Sequence, residues 1–237
     1  MFSPIVTEFW DARFPGLDLR SGAFALTVDA GLSENRRVMV LDAGGTVRAV
    51  LTPDLARAVG VSEPDASAVL ADPDFRRALS AAGVALHGAD HLHYLLEGDK
   101  ESLLRESAET GVRALTEHDA HAFAEFESSA PAQDLDDAYV ELGHWAVFGA
   151  FVQDRLVSAA SAYPWLDSRI ADVGVVTLPG FRGRGHGRAV VRALCRFAAQ
   201  QGYQPQYRCQ FDNEPSKALA ESAGLTFFGK WEVVSQD

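Results

Sequence analysis

Residues 173–194 read Val173-Gly174-Val175-Val176-Thr177-Leu178-Pro179-Gly180-Phe181-Arg182-Gly183-Arg184-Gly185-His186-Gly187-Arg188-Ala189-Val190-Val191-Arg192-Ala193-Leu194, an apolar run, a loop of glycine and arginine, and an amphipathic run in direct succession. Val173, Val175 and Val176 are β-branched and suit a buried strand. Pro179-Gly180 stops the ladder, because proline has no N–H to donate. Beyond the loop, Val190, Val191, Leu194, Cys195 and Ala198 recur at helical spacing, while Arg188, Arg192 and Arg196 recur every four residues on another face. The stretch therefore predicts strand, loop and helix, with the glycines at the mouth of the helix.

Glycines in that place let successive backbone N–H groups approach a ligand, and the helix N-terminus adds its positive dipole end. An anion, most naturally a pyrophosphate, is expected at Arg182 to Arg188. The Walker loop needs a Gly-Lys-Ser/Thr ending that is absent here, and Gly183, Gly185 and Gly187 do not supply the Gly-x-Gly-x-x-Gly of a dinucleotide loop. The plain alternative is a tight turn that serves no ligand.

The spacing that does fit is Q/R-x-x-G-x-G/A, as Arg182-Gly183-Arg184-Gly185-His186-Gly187, preceded by a Val-Val-Thr-x-Pro strand end. This resembles the central motif of the GNAT superfamily, the acyl-CoA-dependent N-acetyltransferases. A second stretch, Asn213-Glu214-Pro215-Ser216-Lys217-Ala218-Leu219-Ala220-Glu221-Ser222-Ala223-Gly224-Leu225, is similar to that family's second motif.

The elements around these motifs can be read in order. Val112 to Leu115 suits a short strand. Thr116 followed by Asp119 starts a helix with apolar Ala122, Phe123 and Phe126. Pro131 breaks it, and Leu135, Ala138, Tyr139 and Leu142 describe a second helix ending at Gly143. Trp145 to Val152 and Leu156 to Tyr163 suit a hairpin, and Arg169 to Thr177 the strand before the glycine loop. Tyr207 to Phe211 is expected as a strand, Pro215 to Ser222 as a short helix and Leu225 to Val234 as a closing β segment. This β-α-α-β-β-β-α-β-α-β order is that of the resembled family and covers 111 to 235.

Residues 1 to 108 are less legible. Phe24 to Val28, Arg37 to Leu41 and Val47 to Leu51 suit strands, the last two joined by a turn at Asp42-Ala43-Gly44-Gly45. Helices are expected after Thr52-Pro53 and after Asp72-Pro73, a strand over His91 to Leu96, and a connecting helix or linker over Asp99 to Thr110. His91 and His93 share one strand face, but no Cys, Asp or Glu pattern completes a metal site, so they are expected as a surface or ligand-facing pair. The fold class expected is α+β: a GNAT-like mixed central sheet flanked by helices over 109–237, with an N-terminal α+β domain over 1–108.

Composition narrows the partners. The chain has 237 residues, 47% hydrophobic and 23% charged, with a net charge of −12. That balance suits a soluble protein and argues against nucleic-acid binding, which needs a basic surface. No apolar run is long enough to span a membrane, Met1 to Trp10 lacks the pattern of a secretory leader, and a cytoplasmic protein is expected. Cys195 and Cys209 form no disulfide framework or metal spacing and are expected as buried thiols. Glu117, Asp119, Glu125, Glu127, Asp134, Asp136, Asp137 and Glu141 fall between Arg113 and Arg155 with no Lys or Arg among them. A cationic amine, polyamine or basic peptide N-terminus would be drawn to such a run, although a solvated face explains it as well.

The resemblance implies that acetyl-CoA is the co-substrate and that no metal takes part. Carried over, Val175, Val176 and Thr177 would bond the pantetheine amides. The N–H groups of Arg182, Gly183, Arg184, Gly185, His186, Gly187 and Arg188 would hold the pyrophosphate, and Asn213 and Ser216 would lie beside the cofactor. Asn213 serves equally well as a residue that satisfies local backbone donors where a helix begins. Transfer to an amine needs a base and an acid. The family often supplies the acid from a tyrosine after the motif leucine, but Leu219 is followed here by Ala220. Tyr207, Ser216 or a water are the substitutes. Asp172 is the expected base, with Glu141 and His144 as alternatives. The acceptor would be a primary amine of a small molecule or peptide. A non-catalytic acyl-CoA-binding or sensing module is the competing reading. A third, in which residues 1–108 are a degenerate second copy, is weakened because Gly44-Gly45 is only a turn. Residues 1–108 could otherwise cap the site or mediate a homodimer.

Overall fold

The structure is a computed structural model, and it describes residues 1–15, 24–61 and 72–234. The helices are α1 Pro4–Arg13, α2 Pro53–Ala58, α3 Asp72–Ala81, α4 Glu97–Arg105, α5 Ala120–Ser129, α6 Ala132–Ala138, α7 His186–Gln200 and α8 Glu214–Ser222. The strands are β1 Phe24–Val28, β2 Val38–Ala43, β3 Thr46–Leu51, β4 Asp90–Tyr94, β5 Val112–Ala114, β6 Ala146–Val152, β7 Arg155–Pro164, β8 Ile170–Thr177, β9 Gln204–Gln210 and β10 Thr226–Val233. From β5 to β10 the helices and strands follow the order expected from the sequence.

The chain forms two compact units. The first comprises Met1–Thr7, His93–Arg208 and Glu214–Phe227, and the second Glu8–Leu92, Cys209–Asn213 and Phe228–Asp237. Neither is one run of sequence, so these units do not coincide with a division at residue 108.

In the second unit β1 and β3 are parallel, and β2 is antiparallel to β3 and to β10. Gly44 and Gly45 adopt φ of 62° and 76°, the left-handed pair that a tight two-residue hairpin between β2 and β3 requires. Leu26, Val40, Leu51, Leu55, Phe75 and Leu79 form the core, each contributing about 2 kcal/mol by leaving water. Trp10 is fully buried beside Phe14, Phe228 and Trp231. Arg76 makes a two-pronged ion pair with Glu232, at 3.0 and 2.6 Å.

In the first unit the strands lie in the order β9-β8-β7-β6-β5, with β8 and β9 parallel and the other pairs antiparallel. Side chains alternate across a strand. Val176 of β8 joins Phe123, Phe126, Val140 and Ala159 in the core beneath α5 and α6. Its neighbour Thr177 points to the opposite face, where Gly187 of α7 lies close to its hydroxyl. Helix α7 buries Val190, Val191, Leu194, Cys195 and Ala198 against β6, β7 and β8, as its spacing predicts.

Three elements differ from expectation. Helix α6 ends at Ala138, short of Gly143, because Tyr139 turns left-handed with φ 47° and ψ 54°. Strand β9 begins at Gln204, three residues early. Its first residues, Gln204-Pro205-Gln206, look like a loop in sequence but are buried, and Gln204 Nε2 donates to Leu95 O at 3.1 Å. Helix α1 was not anticipated.

Candidate functional site

The site begins where two parallel strands part. The β8–β9 register runs from Ile170–Gln204 to Val173–Tyr207 and stops, while β8 continues to Thr177. Backbone directions follow from the bonds at either end of β8. Arg169 O accepts from Gln204 N on the β9 side, and Leu178 N donates to Val157 O on the β7 side. By alternation, Val175 and Thr177 turn their N–H and C=O toward the opening beyond Val173. Val176 faces β7, where Ser158 Oγ donates to its carbonyl at 3.1 Å. Of the three residues expected to bond a pantetheine through their main chain, Val175 and Thr177 face this opening and Val176 faces β7.

At the end of β8, Pro179–Phe181 forms a single turn, and the chain then passes through Gly183 (φ 70°) and Gly185 (φ 86°) into α7. A β-carbon at Gly183 or Gly185 would meet nothing within 4 Å, so the loop leaves open space over the helix N-terminus. At Gly187 it would come within 3.1 Å of Thr177 Oγ1, a tight contact where helix and strand approach closely. The first-turn N–H groups of His186, Gly187 and Arg188 have no acceptor within the helix. They fit an anionic group.

The arginine side chains divide their work. Arg182 Nε donates to Thr177 O at 3.1 Å, and its guanidinium pairs with Asp134. Arg188 Nε donates to Ser222 O at 2.9 Å and Arg192 Nη1 to Ala223 O at 2.6 Å, capping the C-terminal end of α8. Arg184 lies over the Phe181 ring, 5.6 Å from its centroid. The arginine stripe of α7 thus serves helix packing.

Polar groups occupy both faces of the sheet. On the α6 face, Asp172 is buried and accepts from Arg208 Nη2 at 2.7 Å, Arg208 Nε at 3.0 Å, Gln206 Nε2 at 2.9 Å and Tyr163 Oη at 3.2 Å. Tyr94 Oη donates to Gln206. Burial, and then the Asp172 charge, push the Tyr163 phenol up to about 12, so it stays a donor at neutral pH. On the same face His144 Nδ1 lies 2.8 Å from Ser161 Oγ, and its Nε2 lies 3.6 Å from Glu141 Oε2. Burial lowers the His144 pKa from the usual 6.5, and the Glu141 charge opposes that. On the α7 face, Tyr207 Oη and Ser216 Oγ are 2.8 Å apart.

The residues expected to do chemistry are therefore not on one face. Asp172, Glu141 and His144 share the α6 face, while Tyr207 and Ser216 share the other. Ala220 is fully buried. Asn213 belongs to the second unit, where its N–H donates to Gln210 O at 3.0 Å. His93 is buried against Phe227, with 5.7 Å between ring centroids. Tyr163 and Arg208 were not anticipated; the signal available was the i, i+2 placement of Gln206 and Arg208 on the strand paired with Asp172. Among the described residues no group of three or more His, Cys, Asp or Glu is placed to hold a metal ion, and no helix is long and apolar enough to cross a membrane.

A mixed open sheet that parts between two parallel strands, with a glycine loop leading from the parted strand into a helix, is the architecture of the GNAT class. Residues 112–225 match the Acetyltransferase (GNAT) family, and this segment is a GNAT acetyltransferase domain. Among solved structures, a protein assigned to the GNAT acetyltransferase family from Novosphingobium aromaticivorans is 19% identical, with 63% of this chain and 64% of that one aligned at a TM-score of 0.50. A GNAT-family acetyltransferase from Colwellia psychrerythraea is 19% identical over 68% of this chain and 61% of that one, at a TM-score of 0.48. The ribosomal-protein-S18-alanine N-acetyltransferase from Escherichia coli is 16% identical over 52% and 90%, at 0.40. The fold comparison rests on the first of these. The chain spans less than two thirds of the length of the first two. No curated protein matches the sequence.

Proposed function

We propose that the protein is an N-acetyltransferase that moves an acetyl group from acetyl-CoA to a primary amine of a small molecule or peptide, by direct attack in a ternary complex. The observation that carries this reading is the end of the β8–β9 ladder at Val173–Tyr207, followed on the same strand by the Gly183–Gly185 loop. Val175 and Thr177 would bond the pantetheine arm through their main chain, and the loop and first turn of α7 would hold the pyrophosphate. Bound there, acetyl-CoA supplies an activated thioester. Tyr207, at the last paired position before the opening, would give a proton to the departing sulfur, its hydroxyl lying 2.8 Å from Ser216 Oγ. Asp172 is engaged by Arg208, Gln206 and Tyr163, which suits a positioning carboxylate better than the free base the sequence suggests. Glu141 is half exposed beside His144 and supplies negative charge on the acceptor side.

A non-catalytic acyl-CoA-binding module is the second reading, favoured by the buried Ala220 where the resembled family often has a tyrosine. Mass spectrometry of amines incubated with protein and acetyl-CoA decides between them. Acetylated product supports the enzyme. Calorimetric binding of CoA with no transfer to any amine supports the module.

A further inference from the structure

Three rings on the α6 face pack against one another. Tyr139 meets His144 edge-on with centroids 4.9 Å apart, His144 meets Tyr163 at 5.0 Å, and Tyr139 meets Tyr163 at 5.6 Å. Tyr139 is 53% exposed although it is a large apolar ring. It also sits in the left-handed region at φ 47°, a conformation that costs a residue with a β-carbon about 1 kcal/mol. The preceding carbonyl, Ala138 O, packs onto Gly174, the first β8 residue beyond the last β8–β9 pair. Ser161, which holds His144 Nδ1, is the cross-strand partner of Gly174. The aromatic cluster is thus anchored at the position where the donor opening begins.

We infer that Tyr139, Tyr163 and His144 wall an acceptor subsite for a protonated amine, with Glu141 as its countercharge and His144 Nε2 as its proton acceptor. The inference rests on the acyl-transfer reading above and names the acceptor class. Aromatic faces attract cations through the ring quadrupole. Tyr163 commits its hydroxyl to Asp172, so its ring is what it offers a ligand. In the tautomer whose Nδ1–H donates to Ser161 Oγ, Nε2 keeps its lone pair, and Glu141 beside it stabilises the imidazolium that forms. Tyr139, Glu141, Tyr163 and, through Tyr163, Asp172 and Arg208 are the titratable and charged groups that face this histidine. Burial lowers the His144 pKa and so favours the neutral imidazole, the state in which it can accept a proton, while the Glu141 charge opposes that. One ammonium proton passes to Nε2. The freed amine lone pair forms the C–N bond to the thioester carbon, the C–S bond breaks, the sulfur takes a proton from Tyr207 or water, and the second proton of the now cationic nitrogen replaces the one given to the sulfur. The imidazolium then releases its proton to solvent, so that acetyl-CoA and an ammonium give an amide, CoA thiol and one proton.

Two measurements on the full chain test this. In the first, His144 ring resonances are followed by NMR during titration with tetramethylammonium chloride, and with tert-butanol as its neutral isostere. The cation should bind at least about tenfold more tightly, and Tyr139→Asn, which tolerates the left-handed backbone, should abolish the difference. Equal response to the two probes overturns the subsite. In the second, acetyl-CoA affinity by calorimetry should be unchanged in every variant. Tyr139→Asn should raise the amine KM about tenfold with kcat retained, and Tyr139→Phe should restore it. His144→Gln should lower kcat about 100-fold and remove the loss of activity seen as pH falls below the usual histidine range. An acid limb that survives His144→Gln overturns the proton-acceptor role. Failure of transfer to every amine would sink the acyl-transfer reading, while the titration would still decide the subsite.

Discussion

The carbonyl oxygen of Ala138 lies 1.9 Å from where a β-carbon on Gly174 would stand. The end of α6 therefore rests directly on β8, and only glycine permits it. Gly174→Ala forces backbone apart, because the clashing atom is a main-chain oxygen and not a pliable side-chain tip. The expected cost is about 3 kcal/mol in urea unfolding, at the upper end of overpacking penalties. Tyr139 should move with the displaced helix end, so the variant should also lose selectivity for cationic acceptors.

Gly185 starts α7 with φ 86° and open space where its side chain would project. Gly185→Trp should fill the path of a pyrophosphate while leaving the packed face of α7 intact. Acetyl-CoA affinity by calorimetry should fall at least about 100-fold, whereas the fold should lose only about 1 kcal/mol from the backbone conformation. Unchanged affinity would remove the loop from the cofactor site.

Asp172 and Arg208 form an ion pair whose carboxylate is almost wholly buried. Removing one partner leaves the other desolvated, so Asp172→Asn should cost about 3 kcal/mol. Arg208→Gln added to it should cost less than the two single losses combined, as a double-mutant cycle by chemical denaturation can show. Additive losses would mean that the pair does not hold this part of the sheet together.

Tyr207 presents its hydroxyl to Ser216 at the last paired position of β9. If it protonates the leaving sulfur, Tyr207→Phe should lower kcat by about 100-fold without changing the amine KM. The change keeps the ring and its packing, so the melting temperature should shift little. A kcat equal to that of the parent would assign the proton to solvent.

Asp119 closes the first turn leading to α5. It accepts from Thr116 N at 2.9 Å and pairs with both terminal nitrogens of Arg113, and the Arg113 hydrogen bond leads the causes that hold its carboxyl down at about 2. A carboxylate whose folded pKa lies below its unfolded value contributes stability that is complete above about pH 4 and is lost as pH falls toward 2. Asp119→Ala should cost about 1 kcal/mol at pH 7. The difference from the parent should shrink across that acid window in pH-dependent melting.

The elements were legible where a pattern has one physical reading. The valines of β8, the Pro179-Gly180 stop and the apolar stripe of α7 each specify an element through local chemistry, and all three appear as expected. The end of α6 was not legible, since Leu142 continues the helical spacing and nothing local shows that a carbonyl must dock on Gly174, 36 residues along the chain from Ala138. Strand β9 starts earlier than its sequence suggests, since Gln204 and Gln206 look solvent-seeking. Both are buried because groups distant in sequence meet their amide N–H groups, Leu95 O accepting from Gln204 Nε2 and Asp172 from Gln206 Nε2.

By itself, the sequence determined the strand, loop and helix to which we assign the acetyl donor. A glycine loop between a β-branched run and an amphipathic helix is a contiguous motif, and main-chain N–H groups at a helix mouth need no distant partner to attract an anion. Only the tertiary structure brought together the groups we propose for the acceptor side. Tyr139, Glu141, His144, Ser161, Tyr163 and Asp172 come from three separate stretches, and their states depend on burial and on one another. The same fold gives Asp172 an ion pair with Arg208, because a carboxylate inside the sheet must be matched by donors that arrive from a neighbouring strand.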